Sequence, residues 1–249
     1  MVRRRKRSVR LPALVACAVV AFTVYVVLRA SHTGRAPRTP VPPSCNLGPT
    51  TAGIDVSYYQ GDITWRRVHR AGVRFAFIRV SDGADILDSR FVANWSGARR
   101  AHVLRGAYQF FRPEQSPIDQ ANLVVRTLRA RGRGELPPVL DIEVTGGLPL
   151  ASVAANARLW IEQVRSQLGV EPIVYTNPGM WRLRGPSELA QQPLWLAHYT
   201  ELCPRVPPPW PAWTFWQYTE NGRVDGIDEP VDLDVFAGTE ADLRHRFRL

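Results

Sequence analysis

Cysteine is scarce in this chain: three in 249 residues, at positions 17, 45 and 203. No C-x-x-C or H-x-x-x-H accompanies them, so the spacing of a zinc site is missing. G-x-S-x-G is absent, which leaves an α/β-hydrolase serine unsupported. No G-x-G-x-x-G follows the first strand-like run and no phosphate-cradling glycine loop is visible, so nothing points to a nucleotide cofactor. The five histidines are scattered, and His198 in LWLAHY reads equally as a satisfied core side chain and as a base. Acidic residues are missing from the first forty positions, which hold nine of the 32 Lys and Arg. Beyond them 23 basic residues stand against 22 acidic ones, so the formal charge of +10 belongs to the N-terminus. A near-neutral body lacks the electrostatic footprint of a nucleic-acid binder, and nucleic acid is excluded as the main partner.

What the N-terminus does contain is MVRRRKRSVR followed by an uncharged run from Leu11 to Leu28. As a helix that run is about 27 Å long, close to the roughly 30 Å hydrocarbon core of a bilayer. Basic residues crowd before it and few follow, which places the N-terminus in the cytoplasm and the body outside. The run exceeds the roughly 7–15 residues of a cleaved signal, and Leu28-Arg29-Ala30-Ser31-His32 offers no A-x-A site. A long cleaved signal, giving a secreted protein, is the alternative. We expect a basic segment over 1–10, a transmembrane signal-anchor over 11–28, a Pro-rich linker over 29–50 and one domain over 51–249. The protein is then a single-pass protein of the cell membrane. Cys17 falls inside the span; Cys45 and Cys203 could bridge in an oxidising compartment or remain two thiols.

From Gly53 onward, short β-branched or aromatic runs alternate with amphipathic stretches. The strand-like runs are 53–57, 74–81, 103–111, 138–144 and 172–177, with helix-like stretches over 64–71, 90–101, 117–131 and 149–168. In the last, Val153, Ala157, Trp160, Ile161, Val164 and Leu168 follow helical spacing and Gly169 supplies a stop. Three more strand-like runs follow, 193–199, 213–219 and 231–236, with little helix between them. Regular alternation implies a parallel sheet with crossover helices. The expected class is α/β: a modified TIM-like barrel of five β/α units and three further strands. An open doubly wound sheet is the alternative. In a barrel, chemistry gathers at the C-terminal strand ends.

Acids occupy runs that otherwise favour burial: Asp55 in GIDVS, Asp141 and Glu143 in PPVLDIEV, Asp232 and Asp234 in VDLDVF. Residues i and i+2 of a strand share a face, about 6.6–6.8 Å apart along the chain. Asp141 and Glu143 therefore point one way and Leu140, Ile142 and Val144 the other. Two neighbouring carboxyls cannot both ionise freely, so one pKa rises, which is what a general acid near neutral pH requires. N-caps and salt bridges are the structural reading of such acids. Buried carboxyls, however, cost several kcal/mol unless something uses or neutralises them. Aromatic residues gather at the same strand ends, and amphipathic rings beside acids suit a sugar, with its apolar C–H faces and polar edges. The candidates for substrate contact are Tyr58, Tyr108, Tyr175, Trp195, Trp216 and Gln217.

The motifs GIDVSYYQG, FAFIRVSDG, RGAYQFFRP, PPVLDIEV, IVYTNP, LWLAHYT, WTFWQYT and VDLDVF occur in this order. Over Gly53–Phe236 the chain resembles glycoside hydrolase family 25, the Chalaropsis-type lysozymes or N-acetylmuramidases. The resemblance implies a barrel of the kind just described, no cofactor and no metal. It implies cleavage of the β-1,4 bond between N-acetylmuramic acid and N-acetylglucosamine in peptidoglycan. By motif position Glu143 would be the general acid, and Asp141 would orient the substrate's 2-acetamido group in a substrate-assisted reaction. Asp55 and Asp232 would complete the catalytic carboxylate set, with Asp234 secondary. Gln109 departs from the pattern: relatives often carry His there, so a change in pH dependence or subsite preference is implied. A membrane-anchored barrel that grips glycan without cutting it is the rival reading, and an enzyme acting on chitin a further one.

Overall fold

The computed structural model describes residues 48–181, 186–200 and 202–249. The expected basic segment, membrane span and nearly all of the linker lie outside the described residues, as do Cys17 and Cys45. Among the described residues no helix is long and apolar enough to cross a membrane. Cys203 is disulfide-bonded, and its partner lies outside the described residues.

All eight expected strands form: β1 (Thr50–Val56), β2 (Phe75–Asp82), β4 (Leu104–Phe110), β5 (Val139–Ile142), β6 (Ile173–Thr176), β7 (Leu194–Ala197), β8 (Phe215–Gly222) and β9 (Val231–Ala237). A two-residue strand, β3 (Ile86–Leu87), hangs antiparallel from the end of β2. In the series β1, β2, β4, β5, β6, β7, β8, neighbouring strands pair in parallel. The last strand, β9, runs antiparallel to both β8 and β1, and the circuit closes through it as an eight-stranded barrel.

The crossover helices are α1 (Trp65–Arg70), α2 (Phe91–Arg100), α3 (Pro117–Arg131) and α4 (Leu150–Leu168). Their limits follow local chemistry. Pro117 opens α3, where its missing N–H costs nothing, and the Ser116 hydroxyl accepts from the Asp119 N–H. Gly169 ends α4 in the left-handed conformation, at φ 67°. The buried face of α4 is the expected one, Val153, Ala157, Trp160, Ile161, Val164 and Leu168. Burying each of its large side chains contributes roughly 1.5–3 kcal/mol. The fifth β/α unit differs from expectation: between β6 and β7 the described chain forms one 3-10 turn, Ser187–Leu189, instead of a full helix. Pro186 and the polar sequence around it give no amphipathic stripe long enough to pack.

Strand alternation divides the core in two. One layer lies between the strands and the helices and includes Ile54, Ile78, Leu140, Val174, Leu196 and Trp216. The other fills the barrel with Phe75, Phe77, Tyr108, Val139, Ile173, Tyr175, Trp195, Phe215 and Phe236. Gly53 makes room for this inner layer, since a Cβ there would lie 2.2 Å from the Phe75 ring. A helix the sequence pattern did not reveal, α5 (Glu240–Phe247), follows β9 and closes the base. Its Leu243 is fully buried in the inner layer, and Phe247 stacks on Phe215 with ring centres 5.9 Å apart.

Candidate active site

Rings fill the base of the barrel and acids its mouth. Asp141 on β5 faces inward, 3% exposed, with Glu143 just past the strand end and open to solvent. The expected shared face of this pair is therefore present. Asp55 ends β1, and the reversal of β9 sets Asp232 directly opposite it in register. Asp55, Asp141, Glu143 and Asp232 line one cavity of about 430 Å³, together with Tyr108, Tyr175, Trp195 and Gln217.

Gln217 ties the wall together. Its Nε2 donates to Asp55 Oδ2 at 2.7 Å, while its Oε1 accepts from the Tyr175 hydroxyl at 2.8 Å and the Tyr199 hydroxyl at 2.9 Å. Trp195 forms part of the floor: it is 1% exposed and stacks on Phe77 with ring centres 4.4 Å apart.

Two of the expected sugar contacts lie elsewhere. Trp216 is fully buried in the outer layer, with its indole N–H donating to the His198 carbonyl oxygen at 2.9 Å. Neighbouring residues of a strand face opposite ways, so once Gln217 points inward Trp216 must point out. Tyr58 stands at the rim, 43% exposed, with the Arg79 guanidinium 4.9 Å from its ring centre. A short turn over Tyr58–Gln60, capped by Ser57, replaces extended chain there and brings Tyr59 to the cavity wall instead. Gln109 also faces away from the cavity. It is fully buried, donating to Ser81 Oγ and accepting from the Trp160 indole at 2.6 Å, so its effect on subsite preference is indirect at most. His198 is held structurally, its Nδ1 accepting from the Arg205 N–H.

Sequence reasoning passed over Arg79, Asp82, Arg112 and Glu220 and counted Tyr199 only among the strand-end aromatics, yet all five line the cavity. Arg79 and Tyr199 were open to parity, falling in step with Phe75 and Phe77 and with Trp195 and Ala197. Asp82 and Glu220 were not, because the pairing register shifts between Arg79 and Ser81 and again beyond Gln217. Arg79 is anchored through Nε to Asp88 at 2.9 Å. Arg112 grips Asp82 with two bonds, of 2.6 and 2.8 Å.

Electrostatically the mouth is a store of protons. Burial, the Glu143 charge and a hydrogen bond to Glu143 push Asp141 well above the usual carboxylate range. Burial also raises Glu143, with Glu220 adding to the effect and the bond to Asp141 opposing it. Glu143 has accessible surface yet sits within a concave wall, so water contact and desolvation both act on it. Asp141 Oδ1 is buried without a donor. Burial, Glu220 and Glu143 push Asp232 up to about 6. Burial, followed by Asp232 and Asp234, raises Asp55 well above its ordinary value. Such a site can deliver a proton near neutral pH beside carboxylates that stabilise developing positive charge.

The family model described as "Glycosyl hydrolases family 25" matches residues 54–227. The chain belongs to glycoside hydrolase family 25. Lysozyme M1 of Streptomyces globisporus is 36% identical over 203 residues, covering 77% of this chain and 69% of that protein. The N,O-diacetylmuramidase of Chalaropsis sp is 30% identical over 207 residues, covering 74% of this chain and 96% of that one. Among solved structures, the lysozyme of Streptomyces coelicolor superposes with a TM-score of 0.71 at 34% identity, over 79% of this chain and 96% of that chain. This family 25 member is thus a glycoside hydrolase, and the acid-lined mouth of its barrel is where sugar chemistry fits.

Proposed function

We propose that the chain is a peptidoglycan hydrolase, cutting the β-1,4 bond between N-acetylmuramic acid and N-acetylglucosamine. The observation that carries this reading is the pair Asp141–Glu143, both raised above the ordinary carboxylate range, in a cavity walled by Asp55 and Asp232. Glu143, the more accessible of the pair, protonates the leaving glycosidic oxygen. Asp141 holds the 2-acetamido group so that its carbonyl oxygen attacks the anomeric carbon, an exception to the usual two-carboxylate scheme. Glu143, now ionised, then takes a proton from the water that opens the cyclic intermediate. Asp55 and Asp232 stabilise the positive charge that develops on the ring. Tyr175, Tyr108 and Gln217 shape the pocket around the reacting sugar. The names of the relatives, a lysozyme and a muramidase, support this substrate.

The uncharged run over 11–28 and the basic residues before it support a single-pass anchor, with the barrel outside the cytoplasm on a Pro-rich tether. A tether confines the enzyme to nearby wall, which favours local remodelling.

The test is digestion of purified peptidoglycan by wild type and Glu143→Gln, with products reduced by borohydride and weighed by mass spectrometry. New reducing ends on N-acetylmuramic acid that vanish in Glu143→Gln establish the activity. Glycan binding with no released product instead makes the barrel a binding module.

A further inference from the structure

Asp234 takes no part in the reaction just described, yet it is the most enclosed carboxyl near the site, 1% exposed. It lies on β9 two residues beyond Asp232, and because β9 runs toward the base it sits deeper than Asp232, beneath Asp55. Its Oδ1 accepts from the Trp195 indole N–H at 2.8 Å. Its Oδ2 is buried and has no donor, and the Asp55 side chain interacts with it.

The groups that face it can be named strand by strand. Asp55 comes from β1, Trp195 from β7, and from β8 come Gln217, opposite it in register, and Tyr218, which interacts with it electrostatically. Asp232 lies on its own strand, and no cation is among the charges acting on it. Two carboxylates set together in a buried site without a cation cannot both be ionised. Burial first, then the Asp232 charge, drive Asp234 toward its neutral form, and they outweigh the bonds to Trp195 and Asp55, which act the other way. Of the two, Asp55 is better able to keep the charge, since Gln217 donates to it and it borders the cavity, where water and substrate reach it. Asp234 is not among the residues lining the cavity, and its donor among the described residues is the Trp195 indole.

We propose that Asp234 is held as the neutral acid and acts as a positioning residue, its Oδ2 hydroxyl donating to Asp55 and its Oδ1 accepting from Trp195. The charge then faces the cleft on Asp55 alone, and Asp55 is fixed from below by Asp234 and from the side by Gln217. A neutral acid at this place presents one donor and one acceptor, the pattern an asparagine side chain also offers.

The protonation is independent of the muramidase reading, while its catalytic consequence rests on it. The experiment separates the two by comparing full-length wild type, Asp234→Asn and Asp234→Ala. Thermal unfolding without substrate reads the proton. A carboxyl raised on folding contributes stability that is full below its unfolded pKa and lost as pH rises through the folded value. Wild type should therefore lose melting temperature relative to Asp234→Asn as pH climbs from about 4 upward. Hydrolysis reads the positioning: kcat/KM in Asp234→Ala should fall by about tenfold or more, and Asn should restore most of it. A melting difference between wild type and Asn that stays constant with pH overturns the neutral acid. An Asn variant as impaired as Ala overturns it too, since a charge would then be what the site needs. If Asp234→Ala fails to fold, wild type against Asn still decides both points. If wild type cuts no peptidoglycan, the muramidase reading fails while the melting comparison still decides the proton.

Discussion

Gln217→Leu is the perturbation that tests most sharply whether the wall of the cleft is one hydrogen-bonded unit. The amide donates to Asp55 at 2.7 Å and accepts from Tyr175 and Tyr199, and leucine of similar volume removes all three bonds. A hydrogen bond to a charged group is worth about 1.5–3 kcal/mol, and a buried group left unpartnered costs about 1–3 kcal/mol. Tyr199 is 49% exposed and can turn to water, whereas Tyr175, at 5%, cannot. The expected loss is therefore about 3–5 kcal/mol at neutral pH, from Asp55 and Tyr175 together. Gln217 lowers the Asp55 pKa, so its removal raises that pKa further. A protonated Asp55 needs no donor, and part of the lost stability should return on acidification. Denaturant unfolding at neutral and acid pH measures this, with Tyr199→Phe as a control expected to cost less than about 1 kcal/mol. With Asp55 and Tyr175 no longer fixed, kcat/KM at neutral pH should fall as well, read on the folded variant. A variant within about 1 kcal/mol of wild type at every pH would refute the argument.

Three further outcomes follow from the same geometry. Glu220 is exposed but raises both Glu143 and Asp232; Glu220→Gln should move the alkaline limb of the pH–rate profile to lower pH with little loss at the optimum, and an unmoved limb would count against the charge coupling. Asp55, Asp141, Glu143 and Asp232 all rise on folding. Their stability is thus full in acid and declines as pH climbs from about 4 upward, so the melting temperature should be higher at about pH 4.5 than at about pH 8. Gly53→Ala drives a methyl into the fully buried Phe75 ring and should cost about 1–3 kcal/mol, read by denaturant unfolding, with the acids left in place.

How far the molecule could be read from sequence depended on whether a signal was local. Each barrel strand is an apolar run long enough to declare itself, and Asp141 with Glu143 needed only the two-residue period of a strand. The helix α5 was invisible because Leu243 and Phe247 are its only large apolar contacts, too few to make a stripe. Trp216 and Gln217 were both taken as contacts, which strand geometry forbids; deciding between them required knowing which face of β8 the barrel encloses. Residue type misled at Gln109 as well. Its motif position suggested chemistry, while its parity, one step from Tyr108, assigned it to the layer beneath α4, where it meets Trp160.

The reversed last strand explains why five acids can share one barrel. Were β9 parallel to its neighbours, its start would lie at the base, and Asp232 would be buried among rings such as Phe75 and Phe215 with no partner for its charge. Running the other way, β9 begins at the mouth, so Asp232 meets Asp55 in register and reaches the solvent edge. Asp234 then falls one layer lower, where Trp195 supplies a donor and water does not reach. Two acids of one short motif, two residues apart on one face, are thereby separated by depth. The outer one is raised to about 6 and can exchange its proton as substrate arrives. The inner one is enclosed, and with a proton fixed on it, it becomes part of the scaffold that aims Asp55.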